Sequence, residues 1–110
     1  MTKRRWIYIH TVLNLYVQMP GTPERICSHD RRLAEQWCAR QIPIPLVEAA
    51  LLLGVARRSF RRPDASKLAP IRSMAYFEPV VEELVAQPPP PTSIHYLRYK
   101  LGFTPNINTG

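Results

Sequence analysis

Pro45-Leu46-Val47-Glu48-Ala49-Ala50-Leu51-Leu52-Leu53-Gly54-Val55-Ala56-Arg57-Arg58 is the stretch on which the fold turns. Pro45 suits the first position of a helix, where no backbone N–H is needed. Glu48 lies near the start and Arg57 and Arg58 near the end, as the helix macrodipole favours. Between them the run is apolar nearly all round. A surface helix would carry a polar face, so this one is predicted as a central, buried helix. Gly54 costs up to about 1 kcal/mol against Ala in a helix interior. Its compensation would be close packing by a neighbour.

Upstream, Leu33, Ala34, Trp37 and Cys38 form one helical stripe, and Arg31, Arg32, Glu35 and Arg40 form the opposite face. This pattern predicts an amphipathic helix over roughly 29–41, with Ser28 as N-cap and Asp30 in the first turn. Gln41-Ile42-Pro43-Ile44 is the turn into the central helix. The two could form a helix-turn-helix, but the second offers Leu, Ala and Val where a reader needs polar side chains. Still earlier, Trp6, Ile9, Leu13, Tyr16 and Val17 follow helical spacing, while alternate residues from Ile7 to Val17 also fit a strand. The length of the segment favours a helix. Pro20-Gly21-Thr22-Pro23 then makes a turn.

Downstream, prolines punctuate the chain. Ile71, Met74 and Phe77 make one apolar face, and Pro79 breaks the segment and pushes Glu78 away from helical conformation. Two short helices are expected, over 71–77 and 79–86. Pro88 to Pro91 form a stiff polyproline II spacer. Thr92 or Ser93 then caps a last helix with an apolar face of Ile94, Leu97 and Leu101, and Gly102 stops it. Residues 104–110 are expected to be loose. The outcome is an all-α bundle of four to five short helices with Pro-rich linkers: a helical domain over 1–87, a spacer at 88–91 and a C-terminal helix and tail over 92–110. Leu33, Trp37, Val47, Ala50, Leu51, Met74, Phe77, Val81 and Leu84 are the expected core.

The whole chain has 110 residues and 45% apolar residues, enough for one small core and too apolar for simple disorder. No apolar run nears the ~20 residues of a membrane span. Lys3-Arg4-Arg5 followed by an apolar run copies the start of a signal peptide, but His10 and Asn14 interrupt it and Gln18-Met19-Pro20 is no cleavage site. Cys27 and Cys38 suit reduced thiols in a cytoplasmic protein, with one disulfide left open as the rival.

The net charge is +7, from fifteen Lys and Arg against eight Asp and Glu. Residues 57–72 hold Arg57, Arg58, Arg61, Arg62, Lys67 and Arg72 against Asp64 alone, whereas residues 73–91 hold three acids and no base. Clustered guanidinium groups suit phosphate oxygens, which they bind bidentately. Tyr96, Arg98, Tyr99 and Lys100 interleave aromatics with bases, a pattern that stacks on nucleobases and contacts phosphates. These ten residues are the candidate nucleic-acid contacts. The plain alternative is a solvated basic loop that neutralises the acidic helix. Cys27, His29 and Cys38 lack the paired spacing of a zinc site. No Ser/His/Asp arrangement, carboxylate pair or Gly-rich phosphate loop can be argued, so neither an enzyme nor a cofactor is expected.

The run Leu33-Ala34-Glu35-Gln36-Trp37-Cys38-Ala39-Arg40-Gln41-Ile42-Pro43-Ile44-Pro45-Leu46-Val47-Glu48-Ala49-Ala50 resembles a helical hairpin of DnaD-like replisome organisers from phages, plasmids and integrative elements. Ile71 to Val81 is similar to their later Tyr-containing segment. The likeness spans residues 30–86, and Pro79 and the tetraproline depart from the pattern. It implies a helical accessory module of a mobile element that binds DNA, in preference to RNA, and a replication or transposition protein. His95-x-x-Arg98 is also similar to the His/Arg box of tyrosine recombinases, but no Tyr nucleophile follows Tyr99. Two other readings stay open: a protein-interaction module that docks through its acidic helix or tetraproline, and a fragment of a longer replication, transposition or recombination protein.

Overall fold

The computed structural model describes residues 3–23, 25–59, 64, 68–90 and 92–102. These form α1 (Lys3–Gln18), α2 (Ser28–Ala39), α3 (Ile44–Ser59), a 3-10 turn (Met74–Phe77), α4 (Glu78–Ala86) and α5 (Thr92–Leu101), with no strand among the described residues. None of the described helices is long and apolar enough to cross a membrane. Arg61, Arg62, Lys67, Pro91 and the tail 104–110 lie outside the described residues.

The run that is apolar all round becomes the hub. α3 packs against α1, α4, α5 and the 3-10 turn, while α2 packs on α1 and on the 3-10 turn. All nine residues expected in the core are buried. The helical reading of the first segment also holds. Ile9, Leu13 and Tyr16 of its stripe are buried together with Val12 and Leu15, but Trp6 is more than half exposed. Gly54 has the use its position suggested. A Cβ there would lie 2.6 and 2.7 Å from Cδ1 and Cε1 of Phe77, well inside the ~3.5–4.0 Å of ordinary carbon contact. The ring therefore seats directly on the α3 backbone.

Two local expectations are corrected. Ser28 does not cap α2. The N-cap is Cys27, in extended conformation, and the carboxylate of Asp30 reaches back to accept its N–H at 3.1 Å. An N3 acid can satisfy that orphan donor as well as a cap residue can. Glu78 is not pushed out of helical conformation by Pro79. Its φ of −56° and ψ of −47° are helical, and it opens α4. The preceding 3-10 turn already points the chain into the helix, and Pro79 sits in the first turn, where its missing N–H is not needed. Burial of Val80, Val81 and Leu84 outweighs the steric preference of the residue before proline.

The remaining boundaries follow their residues. α3 runs through Ser59, so Arg57 and Arg58 are its last turn and not a free linker. Gln41, at φ +59°, makes the left-handed corner between α2 and α3. Gly102, at φ +62°, ends α5 as expected.

Candidate nucleic-acid interface

The buried polar groups fix how the helices meet. Asp30 is buried, and its Oδ1 accepts the N–H of Met74 at 2.9 Å while Oδ2 accepts that of Cys27. One carboxylate thus ties the start of α2 to the start of the 3-10 turn. Glu48, buried on α3, accepts Nε of Arg98 on Oε2 at 2.7 Å, and Nη2 of the same guanidinium reaches the same oxygen. The Tyr8 hydroxyl donates to the Ile42 carbonyl at 2.7 Å, and burial, with the neighbouring Cys38, holds its ionisation well above the ordinary tyrosine range. Tyr16 has no hydrogen-bond partner for its buried hydroxyl among the described protein atoms. Burial first, then the charge of Asp30, pushes its pKa up to about 12.

The acidic helix is matched by one base at the end of α2 and one in the last turn of α3. Arg40, after α2, forms a fork on Glu82 at 2.9 and 2.7 Å. Arg57 forms the same fork on Glu83 at 2.9 and 2.8 Å. Each fork holds its glutamate below the usual carboxylate range and its arginine above the usual guanidinium value.

This pairing divides the ten expected contacts. Arg57 is committed to Glu83 and Arg98 to Glu48. Arg58 donates to the Ala69 carbonyl at 2.8 Å and lies 5.2 Å above the Tyr76 ring. Arg72 and Lys100 are exposed, and Tyr96 and Tyr99 are 60% and 83% exposed. Arg61, Arg62 and Lys67 are among the residues that are not described. Tyr96, Tyr99 and Lys100 share the outer surface of α5, while Arg98 turns inward.

A second basic surface lies where α1 meets α2. Arg5 faces Glu35 at 3.6 Å. His10, Leu13, Asn14 and Val17 share a shallow groove of about 120 Å³ with Ile26 and Arg31. The two helices are therefore antiparallel along this seam. Exposed Lys3, Arg4, Arg25, Arg31 and Arg32 lie on these two helices and the segment before α2, and none of them, nor Arg72, is paired with a described carboxylate. The exposed indole of Trp6 rests on His10, with ring centroids 4.5 Å apart. The doublets Lys3-Arg4 and Arg31-Arg32 are visible in the sequence. The first reads there as the charged start of an apolar run and the second as the outward face of a helix, and the pairing of α1 with α2 sets both doublets along one seam.

Among the described residues, no three His, Cys, Asp or Glu side chains converge as a metal site would require. Cys27 and Cys38 are both free thiols. The groove between α1 and α2 is walled by apolar Leu13, Val17 and Ile26 together with the imidazole of His10, the amide of Asn14 and the guanidinium of Arg31. No family model, no curated protein and no solved structure matches this chain.

Proposed function

We propose that the chain is a non-enzymatic nucleic-acid-binding protein, an accessory of a mobile element or other nucleoprotein assembly, that contacts phosphates through exposed arginine and stacks bases on exposed aromatics. One observation carries the reading. Acids and bases do not cancel evenly: Glu35, Glu48, Glu82 and Glu83 each hold an arginine, which leaves Lys3, Arg4, Arg25, Arg31, Arg32 and Arg72 exposed with no described carboxylate. Exposed guanidinium groups suit phosphate oxygens, and exposed rings such as Trp6, Tyr96 and Tyr99 suit flat bases. Arg61, Arg62 and Lys67 of the 57–72 segment add to the same charge. DNA is the favoured form, and a replication or transposition protein is the favoured companion.

The test is a fluorescence-anisotropy titration against single-stranded DNA, duplex DNA and RNA over a salt series. Binding should weaken as salt rises, because each neutralised duplex phosphate contributes about −0.9 to the slope of log K on log salt. Replacing Arg4, Arg31 and Arg32 with Gln should flatten that slope by roughly 2–3 if each holds one phosphate. Arg57→Gln should leave the slope unchanged, since that side chain already serves Glu83. A failure to bind any of the three at low salt would remove the proposal.

A further inference from the structure

We propose that the α1–α2 surface takes an unpaired nucleic-acid strand, with the indole of Trp6 as its base-stacking platform. The inference rests on the nucleic-acid reading above and adds the form of strand and the residue that selects it. Past Ile7, the only exposed residues of α1 are His10 and Asn14. With Lys3 and Trp6 they make one outward track, because separations of three and four set helical side chains on one face. The track leads into the groove beside α2, since His10 and Asn14 wall that groove together with Arg31. The side chains of Lys3, His10, Asn14 and Arg31 hold no hydrogen bond or ion pair with a described residue. Their donors and acceptors are open to a ligand.

The ring itself favours an unpaired strand over a duplex. The indole is 54% exposed, and the His10 ring backs one side of it, with centroids 4.5 Å apart. A ring so backed has one side left, which suits a single base laid against it. In a duplex the base faces are covered by their neighbours, and only edges and phosphates are open to a protein. A side chain that wedges into a duplex step fills the gap between two base pairs and needs both of its sides free. The charge around the ring fits the backbone of the strand. α1 carries no acid, and both acids of α2 are engaged: Asp30 is buried on two backbone N–H groups, and Glu35 faces Arg5. Lys3 and Arg4 at one end of the track and Arg31 at the other stay open to phosphates. α5 shows more aromatic surface in Tyr96 and Tyr99, but its arginine is held by Glu48.

The test compares one mixed-sequence oligonucleotide, free and annealed to its complement, by fluorescence anisotropy. The natural protein should bind the free strand more tightly than the duplex. Trp6→Leu should weaken the free strand by between about 5-fold and 150-fold, the range for loss of one stacked base, and the duplex by less than about twofold. It removes no charge, so the salt slope should stay as it was. Trp6→Phe keeps a ring and should recover part of the loss. A second measurement needs no variant. Of the two tryptophans only Trp6 is exposed, Trp37 being 1% exposed, so the free strand should quench the tryptophan fluorescence of the natural protein and the duplex should not. Salt-dependent binding without that quench overturns the inference and leaves the nucleic-acid reading standing. So does a Trp6→Leu effect that is nil or equal on strand and duplex. Failure of both forms to bind at low salt overturns the two together.

Discussion

Gly54→Ala should destabilise the protein, although Ala is the better helix former. The substitution gains up to about 1 kcal/mol from helix propensity. Against this, the new methyl would lie 2.6 and 2.7 Å from two carbons of Phe77, about an ångström inside normal contact. The ring has little room to withdraw. Phe77 is fully buried and meets Tyr16 edge-to-face at 6.2 Å and Tyr76 at 5.2 Å. Its 3-10 turn is also held to α2 through the Met74 N–H on Asp30. Overpacking a held core site costs about 1–3 kcal/mol, and the upper half of that range applies where the neighbour is clamped. The net loss is then about 1–2 kcal/mol, or roughly 4–8 °C in Tm for a chain of this length. Urea unfolding followed by helical circular dichroism would measure it. Phe77→Leu should relieve the clash, so the double variant should be less destabilised than the sum of the two singles by about 1 kcal/mol. A Gly54→Ala protein as stable as the natural one, or additivity in the cycle, would refute the close-packing account.

Three further outcomes are expected. Asp30→Ala should cost about 3 kcal/mol in urea unfolding, because it strands the N–H groups of Cys27 and Met74 at once; a loss below about 1 kcal/mol would show that the carboxylate does not clamp the two elements. Tyr16 holds its proton more tightly when folded, so its contribution is intact below pH 10 and is lost as pH rises toward about 12; Tyr16→Phe should shrink that alkaline loss without lowering stability at pH 7, since its hydroxyl has no protein partner. Glu82 and Glu83 have lowered values in the fold, so their contribution is present above the ordinary glutamate pKa and falls away as acid protonates them; a double Gln variant should lose the corresponding part of the acid dependence of Tm.

Much of the fold is legible in residue patterns because the deciding forces are local or nearly so. A ten-residue run with no polar face has to be covered on all sides, and α3 is. Gly102 ends α5 because a left-handed residue costs glycine nothing. What misleads are positions where two local rules compete. Ser28 is a better cap by type than Cys27, yet Asp30 at N3 performs the capping from inside the helix. Pro79 disfavours a helical Glu78, yet three buried side chains beyond it pull the segment onto α3. Trp6 fits the apolar stripe by spacing but stays more than half exposed, with its indole resting on His10 of its own helix.

The candidate surface was less legible, for a reason peculiar to charge. A sum over residues 57–72 counts each base as available, but availability depends on partners far along the chain. Arg57 finds Glu83 twenty-six positions away and Arg98 finds Glu48 fifty positions away. Neither separation carries any local signature. The same pairing that removes those two leaves Arg4, Arg31 and Arg32 without an acid, on helices whose charges looked routine. Folding therefore moves part of the free charge from the middle of the sequence to the α1–α2 seam. The two surfaces make different predictions under one assay. If linker substitutions at Arg61 and Arg62 flatten the salt slope and those at Arg4, Arg31 and Arg32 do not, binding follows the sequence cluster. The reverse result would mean that it follows the charges that folding leaves unpaired.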